Sequence, residues 1–443
     1  MEIIKRYKNK LQQNRFIKNV LILVGGTVFA QGLVVLSSPI LTRLYTPEAF
    51  GILATFISIV SILNSVVSLK YELALPLTRT HKETMNLFSF NVMLLTLISL
   101  GYLLIFLTFG DYIFSKLGLD SYLNLLIWLI PLTVLFLGFT TNITHLFIKI
   151  DRFKSITAVN VNSIVAKVIL QLGFGVLIPY NFGLIIGDSL GRFIGNLLGF
   201  YLMIKSNLLR SYQEAKSLLS VETMKRTAVY FKKFPLYSMP AGLINSLSSH
   251  LTPIVLTFAY DPVVAGFYSL TQRVLGMPSS LVSQSISQVY LNEAPKLLEK
   301  DISLVKKLYL KVTKNLLLFG GIPIVLLAVF GEGLFSMVFG EKWSDSGIYL
   351  QALALMFIGQ FTVVPLSQTL NILNRQNIQL LWDIGRVVLS IITIIVSAKF
   401  LHLGPALTLF IYSVSMFLLY VVLYFISLYF LNNNQVASKE EIR

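Results

Sequence analysis

The sequence contains no cysteine and only 4 histidines. That excludes disulfides and thiolate metal sites and leaves no Cys/His spacing of the zinc type. Charge is scarce as well, because Asp, Glu, Lys and Arg supply only 13% of the 443 residues. A soluble chain of this length would carry far more. No glycine-rich phosphate loop of the nucleotide-binding kind is present. The longest connection expected on the outer side, Gly331 to Asp345, is about 15 residues, too short for a catalytic domain. These absences predict a non-enzyme with no cofactor and no metal, and they exclude a process driven by a nucleotide site in this chain.

What remains is hydrophobic: 55% of residues are apolar and the mean hydropathy is +0.75. This is the composition of an all-α polytopic membrane protein. Apolar runs of about 20 residues, the length that crosses a bilayer, predict twelve transmembrane helices near 19–42, 48–69, 84–109, 121–147, 156–178, 182–204, 234–259, 262–291, 308–330, 346–371, 378–399 and 404–431. The first run follows six basic residues but is too long for a signal peptide and lacks a clear cleavage site, so a retained helix is expected. The longest polar connection divides the chain into an N-terminal six-helix lobe (1–204), a cytoplasmic linker (205–233), a C-terminal six-helix lobe (234–431) and a cytoplasmic tail (432–443).

The net charge of +16 is arranged by side. With a cytoplasmic N-terminus, the inside segments, taken with Lys311 and Lys314 in the first two turns of the ninth span, hold 28 of the 36 basic residues, and the outside ends hold only Arg43, Lys116, Lys342 and Lys399. This bias puts both termini in the cytoplasm. The excess then faces anionic lipid headgroups, and no nucleic acid is expected.

The stretch from Phe234 to Glu293 organises the rest. Asp261 reads as an N-cap with Pro262 at the first helical position, where a missing N–H costs nothing. Arg273 follows roughly 16 Å along that helix, near mid-membrane. Ser269, Arg273, Gly276, Ser280, Ser283 and Ser287 share one face, widened by Gln272 and Gln284. Ser238, Gly242, Asn245, Ser249 and Thr252 make a similar stripe on the preceding helix. Two polar stripes at depth predict a hydrated cavity with Arg273 on its wall. An internal repeat supports a two-lobed plan: Thr46-Pro47 with Gly51 corresponds to Asp261-Pro262 with Gly266, and a shift of 215 also places Ser65 on Ser280.

Three further cations lie deep within spans, away from their ends: Lys167, Arg192 and Arg386. Arg192 follows Asp188 by four residues and Arg386 follows Asp383 by three, so structural ion pairs are the better reading for both. Lys167 and Arg273 have no carboxylate nearby in sequence, which favours a cargo or gating role. With four cations against two anions, the cavity attracts an anion. Arg273, Lys167, Arg192, Arg386, Gln31, Asn245, Gln272 and Gln284 are the candidate cargo contacts. Gly25, Gly26 and Pro39, with Arg43, Pro253 and Pro278, are candidate gating positions, since glycine and proline permit bending where neighbours satisfy the backbone. Gly183, Gly187, Gly191, Gly195 and Gly199 recur every fourth residue and read as a packing ridge.

The chain resembles the lipid-linked oligosaccharide flippases of bacterial polysaccharide biosynthesis, within the multidrug/oligosaccharidyl-lipid/polysaccharide exporter superfamily. The residues that carry the resemblance are Leu41-Thr-Arg-Leu-Tyr-Thr-Pro-Glu-Ala-Phe-Gly51, Lys70-Tyr-Glu-Leu-Ala-Leu-Pro76, Phe234-Pro-Leu-Tyr-Ser-Met-Pro240 and Ala265-Gly-Phe-Tyr-Ser-Leu-Thr-Gln-Arg273. It implies two six-helix lobes around a central cationic cavity, alternating access, and residence in the bacterial cytoplasmic membrane. The implied cargo is an oligosaccharide repeat unit on undecaprenyl pyrophosphate, moved to the outer leaflet for O-antigen, capsule or exopolysaccharide. A polysaccharide polymerase, a chain-length regulator and membrane lipids are the implied partners, with the chain itself a monomer. The family commonly carries an arginine midway along its eighth span, and Arg273 matches it. The competing expectations are a cation-coupled multidrug antiporter of the same superfamily and, in a different class, a membrane-embedded polysaccharide polymerase or ligase.

Overall fold

In the computed structural model the described residues are 2–177, 182–206 and 220–440, with side chains described from 22 to 433 apart from Met277. Residues 207–219 of the expected linker lie outside them. Every regular element among the described residues is a helix. Nine of these helices are long and apolar enough to cross a membrane, so the chain is a multi-pass membrane protein. The other three predicted stretches, 182–204, 234–259 and 262–291, are also helical, and they carry the two polar stripes and the Asp188 and Arg192 pair. Large side chains such as Leu36, Leu104, Phe319 and Met337 stand exposed on the helix surfaces. In a bilayer these meet acyl chains, so their exposure carries no hydrophobic penalty.

Contacts divide the chain into two compact units, Met1–Leu44 with Ile59–Leu243, and Tyr45–Ser58 with Ile244–Arg443. The first contains α1 (Glu2–Leu44), the end of α2 (Pro47–Asn64), α3 (His81–Lys116), α4 (Leu123–Lys149), α5 (Phe153–Leu177), α6 (Gly183–Lys205) and α7 (Val221–Tyr230). Its helix starts are locally encoded. Thr80 and Glu83 form a reciprocal capping box at α3, each satisfying a backbone N–H of the other. The turn into Tyr71–Leu77 needs left-handed backbone at Leu69 and Lys70, and Lys149 closes it by donating to the carbonyls of Pro76 and Thr78.

The second unit contains the first three turns of α2, then α8 (Met239–Ala259), which begins in the first unit, and α9 (Pro262–Thr271), α10 (Met277–Leu298), α11 (Ile302–Leu316), α12 (Ile322–Val329), α13 (Gly331–Phe339), α14 (Ser344–Val363), α15 (Gln368–Ile372), α16 (Gln376–Ile395) and α17 (Pro405–Glu440). Asp261 caps α9, accepting from the Val264 N–H at 2.9 Å, and Thr46 caps α2 by accepting from Ala49. These are equivalent positions in the predicted repeat. The repeated motifs also touch: a methyl on Gly51 would fall 1.6 Å from the Pro262 carbonyl oxygen, and one on Gly266 would fall 1.9 Å from that of Pro47. Such reciprocity is the mark of a two-fold contact.

Proline shapes three of the remaining irregularities. Widened π turns occupy Phe234–Ser238, Gln272–Gly276, Leu317–Gly321 and Val396–Phe400, and the first three end two residues before Pro240, Pro278 and Pro323. Proline lacks an N–H for the carbonyl four residues back and clashes with it, so the preceding turn opens.

Candidate functional site

In the first unit the glycine ridge of α6 lies against α5. Gly187, Gly191, Gly195 and Gly199 face Gln171, Lys167, Ser163 and Val159, so each step of four along α6 meets a step of four back along α5. A methyl on Gly191 would lie 2.7 Å from the backbone of Lys167. This close approach decides the local chemistry. Asp188 and Arg192 flank Gly191 on α6, and with the backbones so near, the Lys167 ammonium reaches Asp188 at 2.5 Å while Arg192 Nε holds its other oxygen at 2.8 Å. The Asp188 carboxylate is 0% exposed. The three groups sum to one surplus positive charge, and Lys167 and Arg192 keep 16% and 22% of their side chains exposed.

Lys167, read from sequence as lacking a carboxylate, is therefore ion-paired through space. Polar bridges tie α4 to the same face of α6: Thr133 to Ser189 at 2.7 Å, and Thr140 donating to Asn196 at 2.7 Å. Sequence reasoning found Asp188 with Arg192 from their spacing, and for Lys167 it favoured a cargo or gating role over the alternative, an interhelical bond to such a carboxylate. The glycine ridge was the available signal, because it marks the helix face that another backbone must approach.

In the second unit Arg273 sits inside the π turn before Pro278 and is 7% exposed. Its guanidinium lies 4.9 Å from the Phe50 ring centroid, and Phe50 in turn meets Trp343 edge-on at 4.8 Å. In this conformation Arg273 is thus covered by an aromatic wall. Gln272 turns instead to the Tyr268 hydroxyl, donating at 2.7 Å. Deeper in the unit, Arg386 pairs with Asp383 at 3.4 Å, donates to the Ser248 carbonyl, and stacks 4.9 Å from the Trp382 centroid. Asn245 hydrogen-bonds Asp383 from α8.

The other sequence candidates are placed more diffusely. Gln31 is half-buried on α1, while Gln284 is exposed on α10. Gly26 accepts Thr157 against its backbone, as close packing requires, whereas Gly25 faces open space. Pro39 lies inside α1, where its carbonyl accepts from the exposed Arg43 at 2.8 Å. Pro253 lies inside α8 and Pro278 in the first turn of α10. Each unit thus collects its own deep charges, Lys167, Asp188 and Arg192 in one, and Arg273, Asp383 and Arg386 in the other.

Residues 40–348 match the sequence family described as polysaccharide biosynthesis protein. The chain belongs to that family. Among curated relatives it is 27% identical over 190 residues to the capsular polysaccharide biosynthesis protein CapF of Staphylococcus aureus, covering 40% of this chain and 46% of that one. It is 23% identical over 155 residues to the teichuronic acid biosynthesis protein TuaB of Bacillus subtilis, covering 35% and 32%. The chain thus spans less than half the length of the curated relatives it matches. Among solved structures it is similar to the lipid II flippase MurJ in an inward closed conformation, with a TM-score of 0.71 and 15% identity over 92% of this chain and 87% of that one. It is also similar to an inward-facing multidrug resistance MATE family transporter of the MOP superfamily, with a TM-score of 0.67 and 13% identity over 94% and 95%. At such identities the likeness is one of fold, and the fold is that of these transporters.

Proposed function

We propose that this protein flips oligosaccharide repeat units linked to undecaprenyl pyrophosphate from the cytoplasmic to the outer leaflet of a bacterial cytoplasmic membrane, by alternating access, for surface polysaccharide biosynthesis. The observation that carries the reading is the positive charge held within the spans: the Lys167, Asp188 and Arg192 cluster sums to one surplus cation in the first unit, and the Arg273 guanidinium lies buried in the second. Charged groups at membrane depth are costly and mark transport paths. A pyrophosphate is the cargo group that such charges suit, since guanidinium and ammonium both bind phosphate oxygens.

The stack of Arg273 on Phe50 is of the kind worth about 0.5–2 kcal/mol. A charge-assisted bond to phosphate is stronger than neutral ones, so cargo can draw the guanidinium from the ring. In this reading the chain has twelve spans in two six-helix lobes with both termini cytoplasmic, works as a monomer, and delivers cargo to a polymerase governed by a chain-length regulator. The pathway, whether O-antigen, capsule or exopolysaccharide, follows the sugar attached to the carrier. The antiporter reading is weaker because a cationic drug calls for a free deep carboxylate, and Asp188 and Asp383 are each held by cations.

Arg273→Ala tests the reading. The protein should reach the membrane in normal amount while surface polymer falls to background in a host lacking its own copy. Normal polymer from that variant would count decisively against a cargo role for Arg273.

A further inference from the structure

Apart from Ser99 Oγ and the ion-paired Asp188, the buried side-chain atoms of the first unit without hydrogen-bond partners, among the described residues, are the carboxamide oxygens of Asn64, Asn91 and Asn142 and the Asn91 nitrogen. Asn91 and Asn142 are each 0% exposed. Buried polar groups are nearly always satisfied, so several together call for an occupant.

The packing brings them to one place. Asn142 Nδ2 donates to the Gly138 carbonyl at 3.0 Å, which fixes the orientation of the amide and leaves its oxygen free. A methyl on Gly138 would lie 3.4 Å from Asn64 Oδ1 and would collide with Leu95 of α3. Because α3 and α4 run antiparallel here, the residue one turn before Leu95 is level with the residue one turn after Gly138. Those residues are Asn91 and Asn142. Asn91 lies about 15 Å along α3 from its first residue, within the span.

We propose that Asn64, Asn91 and Asn142 form a binding site for a monovalent cation in the membrane interior of this unit. Three oxygens and one nitrogen donor favour a ligand that accepts lone pairs. The site also lies where α2 ends, at Asn64, and the C-terminal end of a helix carries partial negative charge. Broken helices and carbonyl oxygens serve sodium sites in transporters on the same grounds. A divalent ion is disfavoured: no cluster of three His, Cys, Asp or Glu suited to a metal occurs among the described residues, and hard divalent ions lean on carboxylates. The ionisable neighbour along α4 is His145, which faces both Glu72 and Lys70, themselves paired at 3.7 Å. That pair is neutral overall and leaves the carboxamides to set the local preference.

The test is thermal unfolding of the full chain in detergent, with sodium, potassium or choline chloride at equal ionic strength, together with binding of radiolabelled sodium. Sodium should raise the wild-type midpoint by several degrees over choline, and Asn91→Leu or Asn142→Leu should erase that difference. Since the leucine variants can fail to fold, Asn91→Asp provides a second arm: the added carboxylate should tighten sodium binding about tenfold at alkaline pH. Equal midpoints in all three salts with no sodium bound would overturn the proposal and assign the cluster to water. A sodium response that survives both leucine substitutions, or is unchanged by Asn91→Asp, would overturn it too. Arg273→Ala should leave the sodium response intact, so this site and the cargo reading stand or fall separately.

Discussion

Replacing Asp188 by asparagine removes the one anion between Lys167 and Arg192 while keeping the shape of the side chain. The carboxylate is fully buried and holds its partners at 2.5 and 2.8 Å. Without it, two cations roughly 5 Å apart repel by about 3 kcal/mol at an effective dielectric near 20. Breaking a buried pair from one side costs about 3–5 kcal/mol in general, and the partial exposure of both cations points to the lower end. For a unit of about 200 residues that is a fall on the order of 10 °C in unfolding midpoint. Fluorescence-detected melting of the purified protein reads it directly. Lys167→Met leaves the Asp188 and Arg192 pair intact, so it should cost less than Asp188→Asn, yet it removes the surplus charge and should lower polymer export. The double variant should be more stable than Asp188→Asn alone, because one of the stranded cations is gone. Midpoints of Asp188→Asn within a degree of wild type, or strictly additive effects, would refute the triad.

Gly266→Ala places a methyl against the Pro47 carbonyl and should destabilise by about 1–3 kcal/mol through overpacking, seen as a lower midpoint. Gly173→Ala, a helical glycine with nothing within 4 Å, is the control and should be neutral or slightly stabilising. Pro278→Ala lets the widened turn around Arg273 close into regular α-helix, which rotates Arg273 relative to α10. Melting should hold or rise while surface polymer is lost; retained export would show that the π turn has no part in transport.

Much of this was legible locally. The Asp261-Pro262 helix start depends only on neighbouring atoms, an N-cap oxygen and a ring lacking N–H, so sequence alone identified it. The α6 ridge was legible because five glycines at a spacing of four have few other uses in a membrane helix. Other features depended on partners distant in sequence. Lys167 reads as unpaired along its own helix, and only the α5–α6 contact brings it to Asp188. Arg273 was expected on a wetted wall, but Phe50, more than two hundred residues earlier, covers it in this conformation. The three asparagines lie on three helices and share no sequence pattern at all.

The sequence by itself determined a multi-pass helical membrane protein, the Asp261-Pro262 helix start, and the excess of deep positive charge. Those follow from hydropathy, from proline and capping chemistry, and from counting. Only the tertiary structure decided which charges are neutralised and which polar atoms are stranded. Ion pairing and hydrogen bonding act over a few ångströms, and packing alone determines which side chains come that close.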